Sequence, residues 1–234
     1  MRNILSNWRE RIFIVKPDTV IKWLGFDISE STVQRYMPKK GKRTTSQNWK
    51  TFLKNHSKEI ISVDFLTVPT INFKLVHVLV VIEHHIRKII HFNITKNPTA
   101  EWTLQQIRNL LFEHDTPKYL VRDRDTRFGN LFSEGINQFG IKQIVTAYLS
   151  PCQNGYVERV IGSIRRECLD QVIIINENHL REILIDYVSY YNKYRTHIGI
   201  NKDSPEGRPV QIAGKIDKIP VVNGLHHIYF RQAA

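Results

Sequence analysis

Short apolar runs rich in β-branched residues follow one another from residue 60 onwards and predict a sheet. IISVDFLTV, KLVHVLVVI and RKIIHFNIT are separated by turn-length segments, as consecutive strands are. YLV at 119–121 predicts another strand, and IKQIV at 141–145 is a further short apolar run. Three consecutive strands followed by alternating helices and strands indicate an α/β fold, in which helices flank a mixed sheet.

Apolar residues repeat at helical spacing in the segments between and after these runs. Thr99 is placed to cap a helix over AEWTLQQIRNLLF, whose apolar face carries Leu104, Ile107 and Leu111. A shorter helix is predicted near 130–139.

A longer helix is predicted over 178–194, because one stripe of it is apolar or aromatic throughout. The members of this stripe are Leu180, Ile183, Leu184, Tyr187, Val188 and Tyr191. After Arg195, Pro and Gly interrupt the pattern, and we predict a tail.

Positive charge is concentrated in the first 55 residues. They hold 12 Lys or Arg against 4 Asp or Glu, a net of +8, whereas the whole chain carries +12. Gly25, followed by Ser29 as a possible cap of ESTVQRYM, resembles the second half of a helix-turn-helix. Clustering of one sign of charge favours nucleic acid as the partner over a merely solvated surface. The strongest cluster consists of Lys39, Lys40, Lys42 and Arg43.

Cysteine use and hydropathy place the protein in the cytoplasm. Cys152 and Cys168 are 16 positions apart with no Cys-x-x-Cys pair, so neither a zinc site nor a disulfide framework is expected. Nothing resembles a signal peptide, and apolar stretches such as 75–82 are too short to span a bilayer. We therefore expect a soluble intracellular protein with no membrane partner.

Two aspartates follow apolar strand patterns and are candidate catalytic residues. Asp64 lies within IISVDFLTVPT, where a strand interior disfavours Asp unless it has a special role; capping or ion pairing is the alternative explanation. Asp123 comes directly after YLVR, where strand ends open onto a crevice. Asp125 would point to the same side as Asp123, so either could be the ligand, and a surface turn stitched by neighbouring arginines is a third interpretation.

Glu158 is the third candidate and lies on a predicted helix. Its apolar stripe is formed by Val157, Val160, Ile161, Ile164 and Cys168. The helical spacing predicts that Glu158 shares the opposite side with Arg165 and Arg166, whose guanidinium groups suit phosphate oxygens. Pairing of a first-turn Glu with the helix dipole is the simpler explanation for the same residue.

The three carboxylates together predict a divalent metal site. Hard oxygen ligands on separate elements bind one or two Mg²⁺ ions, which stabilise the attacking and leaving oxygens of a phosphoryl displacement.

Several motifs in order resemble the integrase-core transposases of bacterial insertion sequences, relatives of the retroviral integrases. They are VDFLTVPT, HFNITKNPTAEWTLQQI, LVRDRDTRFG, SPCQNGYVERVIGSIRRECLD and YYNKYRTH, and the resemblance covers roughly residues 49–234. It implies a ribonuclease H-like fold whose acidic triad, used for catalysis and metal binding, is Asp64, Asp123 and Glu158. Phe128, five positions after the second aspartate, selects Asp123 over Asp125 in this comparison.

The resemblance also implies the reaction and the partners. The reaction is cleavage and transfer of DNA strands, with Mg²⁺ or Mn²⁺ as cofactor, two ions in all. The partners are double-stranded DNA, both element ends and target, and further copies of the chain in a homo-oligomer; the site of action is the bacterial nucleoid. Contacts to DNA are expected from Arg159, Arg165 and Arg166 as well as from the basic cluster at 39–43.

We accordingly predict three parts: a truncated basic DNA-binding arm at 1–55, a catalytic core at 56–200 and a C-terminal tail at 201–234. In the resembling family a longer region separates segments like VKPDTVIKW and ISESTVQRY, whereas here Trp23 is followed at once by Leu24-Gly25. This spacing indicates the internal loss of a helix-turn-helix unit. A nuclease of the same fold that does not join strands, and a non-catalytic DNA-binding remnant of a mobile element, are the alternative functions.

Overall fold

A computed structural model of the chain describes residues 25, 48–147 and 153–232. The chain divides into two units between Gln47 and Asn48, and all the described residues except Gly25 belong to the second. The predicted helix-turn-helix half, the basic cluster at 39–43 and Cys152 lie outside the described residues. Within the described residues, no helix is both long enough and apolar enough to cross a membrane.

The helices and strands follow the predicted order. The helices are α1 (Trp49–His56), α2 (Ala100–Glu113), α3 (Asn130–Gln138), α4 (Gly155–Glu167) and α5 (Glu177–Lys193). The strands are β1 (Ile60–Pro69), β2 (Leu75–Glu83), β3 (Ile89–Thr95), β4 (Tyr119–Arg122), β5 (Lys142–Val145), β6 (Ile216–Val221) and β7 (His226–Arg231).

Five of these strands form one mixed sheet in the order β3-β2-β1-β4-β5. β1, β2 and β3 pair antiparallel, as strands joined by short turns do. β4 pairs parallel with β1, and β5 pairs parallel with β4, because α2 and α3 provide the crossovers. The predicted mixed sheet flanked by helices is confirmed.

Alternate residues of β1 pack into two separate hydrophobic cores, one on each face of the sheet. Val63 and Phe65 pack with α2 and α3, whereas Leu66 and Val68 pack with α4 and α5. A strand buried on both faces reads as a continuous apolar run, which explains the sequence of β1.

The structure corrects the sequence prediction at two places. Leu110, rather than Leu111, completes the buried face of α2 with Leu104 and Ile107. The predicted tail contains an antiparallel hairpin formed by β6 and β7. Its first strand is almost wholly exposed, so it has no apolar alternation from which to predict it.

Helix α1, which was expected in the N-terminal arm at 1–55, is part of the second unit. The rings of Phe52 and His56 contact the ring of Tyr119 at the start of β4, with centroid distances of 5.1 and 5.2 Å.

Thr99 caps α2 as predicted, because its hydroxyl accepts a hydrogen bond from the Trp102 N–H at 3.1 Å.

A buried asparagine joins α5 to the edge of the sheet. The side chain of Asn192, in the YYNKYRTH motif, accepts from the Ile89 N–H at 3.0 Å and donates to the Ile89 carbonyl at 2.9 Å. Ile89 begins the edge strand β3, and these bonds satisfy both of its backbone polar groups. Asn192 therefore stabilises the packing of α5 on this face.

We expect the substitution Asn192→Ala to destabilise the fold by about 2–3 kcal/mol, because it leaves a buried N–H and a buried carbonyl without partners. The free energy of unfolding from urea denaturation measures this effect. Lys193→Ala, at the exposed neighbouring position, is the control and should change the same free energy by less than about 0.5 kcal/mol. Equal stability of the two variants would contradict the role assigned to Asn192.

Candidate active site

The parallel pairing of β1 with β4 places Asp64 and Asp123 side by side. The last paired residues are Ser62 of β1 and Val121 of β4. Asp64 lies two residues beyond Ser62, and Asp123 lies two residues beyond Val121. The two aspartates are therefore at the same level, where β4 ends and the crevice beyond the sheet begins.

Both aspartates also belong to the same face of the sheet. Val63 packs with α2 and α3, so Asp64, the next residue of β1, is on the opposite face with α4 and α5. Arg122 points towards α3, because its Nη2 donates to Ser133 Oγ at 3.0 Å. Asp123 follows Arg122 directly and thus falls on the face that Asp64 occupies.

Helix α4 brings Glu158 to this face. Near its start Asn154 Nδ2 donates to the Val63 carbonyl at 3.4 Å, and near its end Arg165 Nη2 donates to the Thr67 carbonyl at 3.1 Å. The helix therefore runs along β1. Its predicted apolar stripe is confirmed, since all five members are buried: Val157, Val160, Ile161, Ile164 and, just after the helix, Cys168.

The charges of the three carboxylates influence one another. Burial, together with the negative charges of Asp123 and Glu158, raises the pKa of Asp64 to about 7, although the hydrogen bond from the Phe65 N–H opposes this shift. Partial desolvation and the charge of Asp123 raise the pKa of Glu158. Mutual repulsion of this kind requires that the three groups lie near one another.

The carboxylate of Asp125, the alternative to Asp123, is bonded to Arg127. Its Oδ1 accepts from the Arg127 N–H at 2.9 Å, and its other oxygen pairs with the Arg127 guanidinium. The hydrogen bond from Arg127 lowers the pKa of Asp125. Asp125 thus caps the short helical turn Thr126–Phe128, as in the surface turn stitched by arginines that the sequence allowed.

The arginines of α4 divide between two sides of the helix. Arg165 follows Glu158 by seven residues, close to two full turns, and so lies on the same side. The Arg166 guanidinium lies over Gly162, where an added Cβ would be 2.9 Å from Nη1. Arg166 and Arg159 line a cavity on the neighbouring side of α4. The expectation that Arg166 shares a side with Glu158 stays a prediction.

The three carboxylates suit a divalent cation, although their side chains are not already arranged around one ion position. Three carboxylates are hard oxygen ligands, and a cation would neutralise the buried charge of Asp64. Among the residues that the structure describes, no three His, Cys, Asp or Glu side chains are grouped so that they could hold one ion together. The predicted sharing of metal ions by Asp64, Asp123 and Glu158 therefore stays a prediction.

Asn154 positions α4 against β1, a role for which its sequence neighbours give no signal. It is buried, and its Nδ2 donates to the Val63 carbonyl immediately before Asp64, while its Oδ1 has no partner among the described residues. The contact joins residues that are distant in sequence, so local spacing does not predict it.

Comparison with known proteins agrees with this architecture. Residues 139–205, which include α4 and α5, match the family model described as Integrase core domain. The chain is 21% identical over 168 residues to the insertion element IS476 uncharacterized 39.2 kDa protein of Xanthomonas euvesicatoria. The aligned region covers 71% of this chain and 49% of that protein. It is 23% identical over 151 residues to the insertion element IS407 uncharacterized 31.7 kDa protein of Burkholderia multivorans, with 63% and 53% covered.

The chain thus spans about half the length of these curated relatives. Among solved structures, it is similar to a chain in the cryoEM structure of the simian T-cell lymphotropic virus intasome in complex with PP2A regulatory subunit B56 gamma. The TM-score is 0.53 at 12% sequence identity, over 69% of this chain and 61% of that chain.

The fold is ribonuclease H-like, the class to which integrase and transposase catalytic cores belong. The resemblance to the integrase-core transposases of insertion elements is confirmed by the family match and by the two insertion-element relatives.

We expect Asp64→Asn to stabilise the fold in the absence of divalent cations. Since folding raises the pKa of Asp64 from its ordinary 3.8 to about 7, ionisation disfavours the folded state. In EDTA at pH 8 the free energy of unfolding should rise by about 2 kcal/mol relative to the parent chain. The gain should shrink as the pH falls through 7 towards 4, because the folded-state carboxyl becomes protonated.

Asp170→Asn, which removes an exposed carboxylate, is the control and should leave the free energy of unfolding within about 0.5 kcal/mol at both pH values. A gain for Asp64→Asn that does not depend on pH would contradict the account of this charge.

Proposed function

We propose that this chain is a DNA transposase that cleaves and transfers DNA strands in a reaction that depends on divalent metal. One observation carries the proposal: Asp64 and Asp123 lie side by side at the same level, on the face of the sheet covered by α4. The charge of Glu158 raises the pKa of Asp64, and the charge of Asp123 raises the pKa of Glu158. The insertion-element relatives support DNA as the substrate.

The proposed chemistry has two steps. In the first, water attacks a phosphodiester and the DNA 3′-oxygen leaves as a hydroxyl. In the second, that 3′-hydroxyl attacks a phosphodiester of the target strand and displaces the target's 3′-oxygen. Neither step needs a covalent bond between protein and DNA.

Asp64, Asp123 and Glu158 would hold Mg²⁺ or Mn²⁺, two ions by the family resemblance. When bound, such ions stabilise charge on the attacking and leaving oxygens. Arg165, beside Glu158 and fixed by its bond to the Thr67 carbonyl, would bind a phosphate oxygen with its remaining N–H groups. Asn154 would position the start of α4 against β1.

The basic arm would supply affinity for DNA with little sequence discrimination. Its charge suits phosphate contacts, whereas only half of a recognition motif is predicted in it. We propose that the active form contains more than one copy of the chain, because cleavage and joining at two element ends require two sites.

Replacing Asp64, Asp123 or Glu158 by Ala should abolish both nicking of a supercoiled plasmid and joining of a labelled oligonucleotide to it in Mn²⁺. Each substitution removes a proposed metal ligand without removing positive charge, so plasmid binding in a mobility-shift assay should persist. Asp125→Ala should reduce activity less than Asp123→Ala does, because Asp125 is engaged by Arg127.

Asp170→Ala is the matched control at an exposed carboxylate and should retain full activity. An oligonucleotide lacking its 3′-hydroxyl should still permit nicking but not joining. Nicking without joining by the parent chain would indicate a nuclease of the same fold, and undiminished activity in the three Ala variants would refute the proposed site.

Arg165→Gln should weaken binding of a DNA duplex by a salt-dependent amount. If Arg165 contacts one phosphate, the slope of log affinity against log salt should become shallower by about 0.9. Fluorescence anisotropy across a range of KCl concentrations measures the slope. An unchanged slope would show that Arg165 serves only to attach α4 to the Thr67 carbonyl.

A further inference from the structure

A cavity of about 590 Å³ opens beside α4, on the side of the helix next to the one that carries Glu158. We call it the arginine pocket; the residues that define it are Arg87, Tyr156, Arg159, Arg166, Arg195 and His197. Four guanidinium groups thus line one cavity, and none of the described residues that line it carries a carboxylate.

The positive charge of the arginine pocket is only partly compensated. Arg195 binds Glu167 through two bonds, of 2.7 Å from Nε and 2.5 Å from Nη2. By contrast, Arg87, Arg159 and Arg166 form no ion pair with any carboxylate in the described parts of the chain. Guanidinium groups gathered without carboxylates suit an anionic ligand that they contact together.

A buried histidine adjoins the guanidinium groups of the pocket. Only 7% of His197 is exposed, and Arg195 Nη1 donates to its Nδ1 at 3.1 Å. Burial and the charges of Arg195 and Arg87 lower the pKa of His197 to about 4, so the ring is neutral and the positive charge of the pocket comes from the arginines.

The turn between β2 and β3 holds Arg87 at the pocket. Arg87 has a positive φ of 63°, which is uncommon for residues other than Gly, Asn and Asp. Its guanidinium lies 5.3 Å from the centre of the Tyr156 ring and against Gly199, where a Cβ would overlap it. These contacts fix the guanidinium without neutralising it.

The first turn of α4 adds partial positive charge at the same place. Gly155, the first residue of α4, lines the pocket, and the side chain of Asn154 makes no capping bond to the helix. Backbone N–H groups at an uncapped helix start favour anions. This partial charge adds to the positive charge of the guanidinium groups.

We propose that the arginine pocket binds phosphate groups of the DNA backbone, next to but distinct from the phosphodiester that reacts. The inference rests on the proposed function, because it assigns a second contact to the same DNA. Arg159 directly follows Glu158, so one strand that reaches the acidic residues can also reach the pocket. A phosphate in the pocket would fix the position of that strand along α4.

The test compares Arg87→Gln with Arg108→Gln, which removes an exposed arginine of α2 on the other face of the sheet. Binding of a short DNA duplex to the full chain is measured in EDTA by fluorescence anisotropy at several KCl concentrations. Arg87→Gln should make the log–log salt slope shallower by about 0.9, whereas Arg108→Gln should leave it unchanged. Arg166→Gln, at an exposed position of α4, should give the same reduction as Arg87→Gln and guards against misfolding of one variant.

Titration with pyrophosphate by calorimetry distinguishes DNA from a small free anion. Loss of pyrophosphate binding in Arg87→Gln, with an unchanged DNA slope, would show a site for free anions and overturn the assignment to DNA. No change in either measurement would overturn the pocket itself. Because no divalent metal is present, a failure of catalysis leaves these results unaffected.

Discussion

The candidate site depends on one constraint, the in-register parallel pairing of β1 with β4. Because Ser62 lies opposite Val121, the residues that follow in the two strands lie at matching positions, and Asp64 and Asp123 come next to each other. A shift of one residue would turn one of the aspartates towards α2 and α3. The price is a buried charge: burial and the neighbouring carboxylates make ionised Asp64 unfavourable until a cation neutralises it.

The position of Glu158 depends on how α4 is held rather than on the sheet. Asn154 attaches its start to β1, while Glu167 at its end binds both Tyr187 and Arg195, with the Tyr187 hydroxyl at 2.9 Å. Residues of α5 and of the segment after it therefore stabilise the helix that carries the third carboxylate. Two residues of the YYNKYRTH motif hold these elements in place. Arg195 binds Glu167 at the end of α4, and Asn192 joins α5 to Ile89 of β3.

The sequence predicted those parts of the fold whose periodicity is strong. β1 to β3, α4 and α5 bury most of their apolar positions in the expected pattern, whereas in α2 the buried position is Leu110 instead of the expected Leu111. The β6–β7 hairpin could not be predicted, because strands that lie largely exposed leave no alternation. Arg87 was missed for a different reason: its role arises from contacts with Tyr156 and Gly199, which are distant in sequence.

The most direct test of the central claim is to map where a divalent cation binds the chain. Fe²⁺ bound in place of Mg²⁺, with ascorbate and peroxide, generates radicals that cut the polypeptide next to the ion, and mass spectrometry locates the cuts. We expect cuts near residues 64, 123 and 158, all suppressed together by excess Mg²⁺ or Mn²⁺. Cuts at only one of these positions, or at unrelated positions, would contradict a single site formed by Asp64, Asp123 and Glu158.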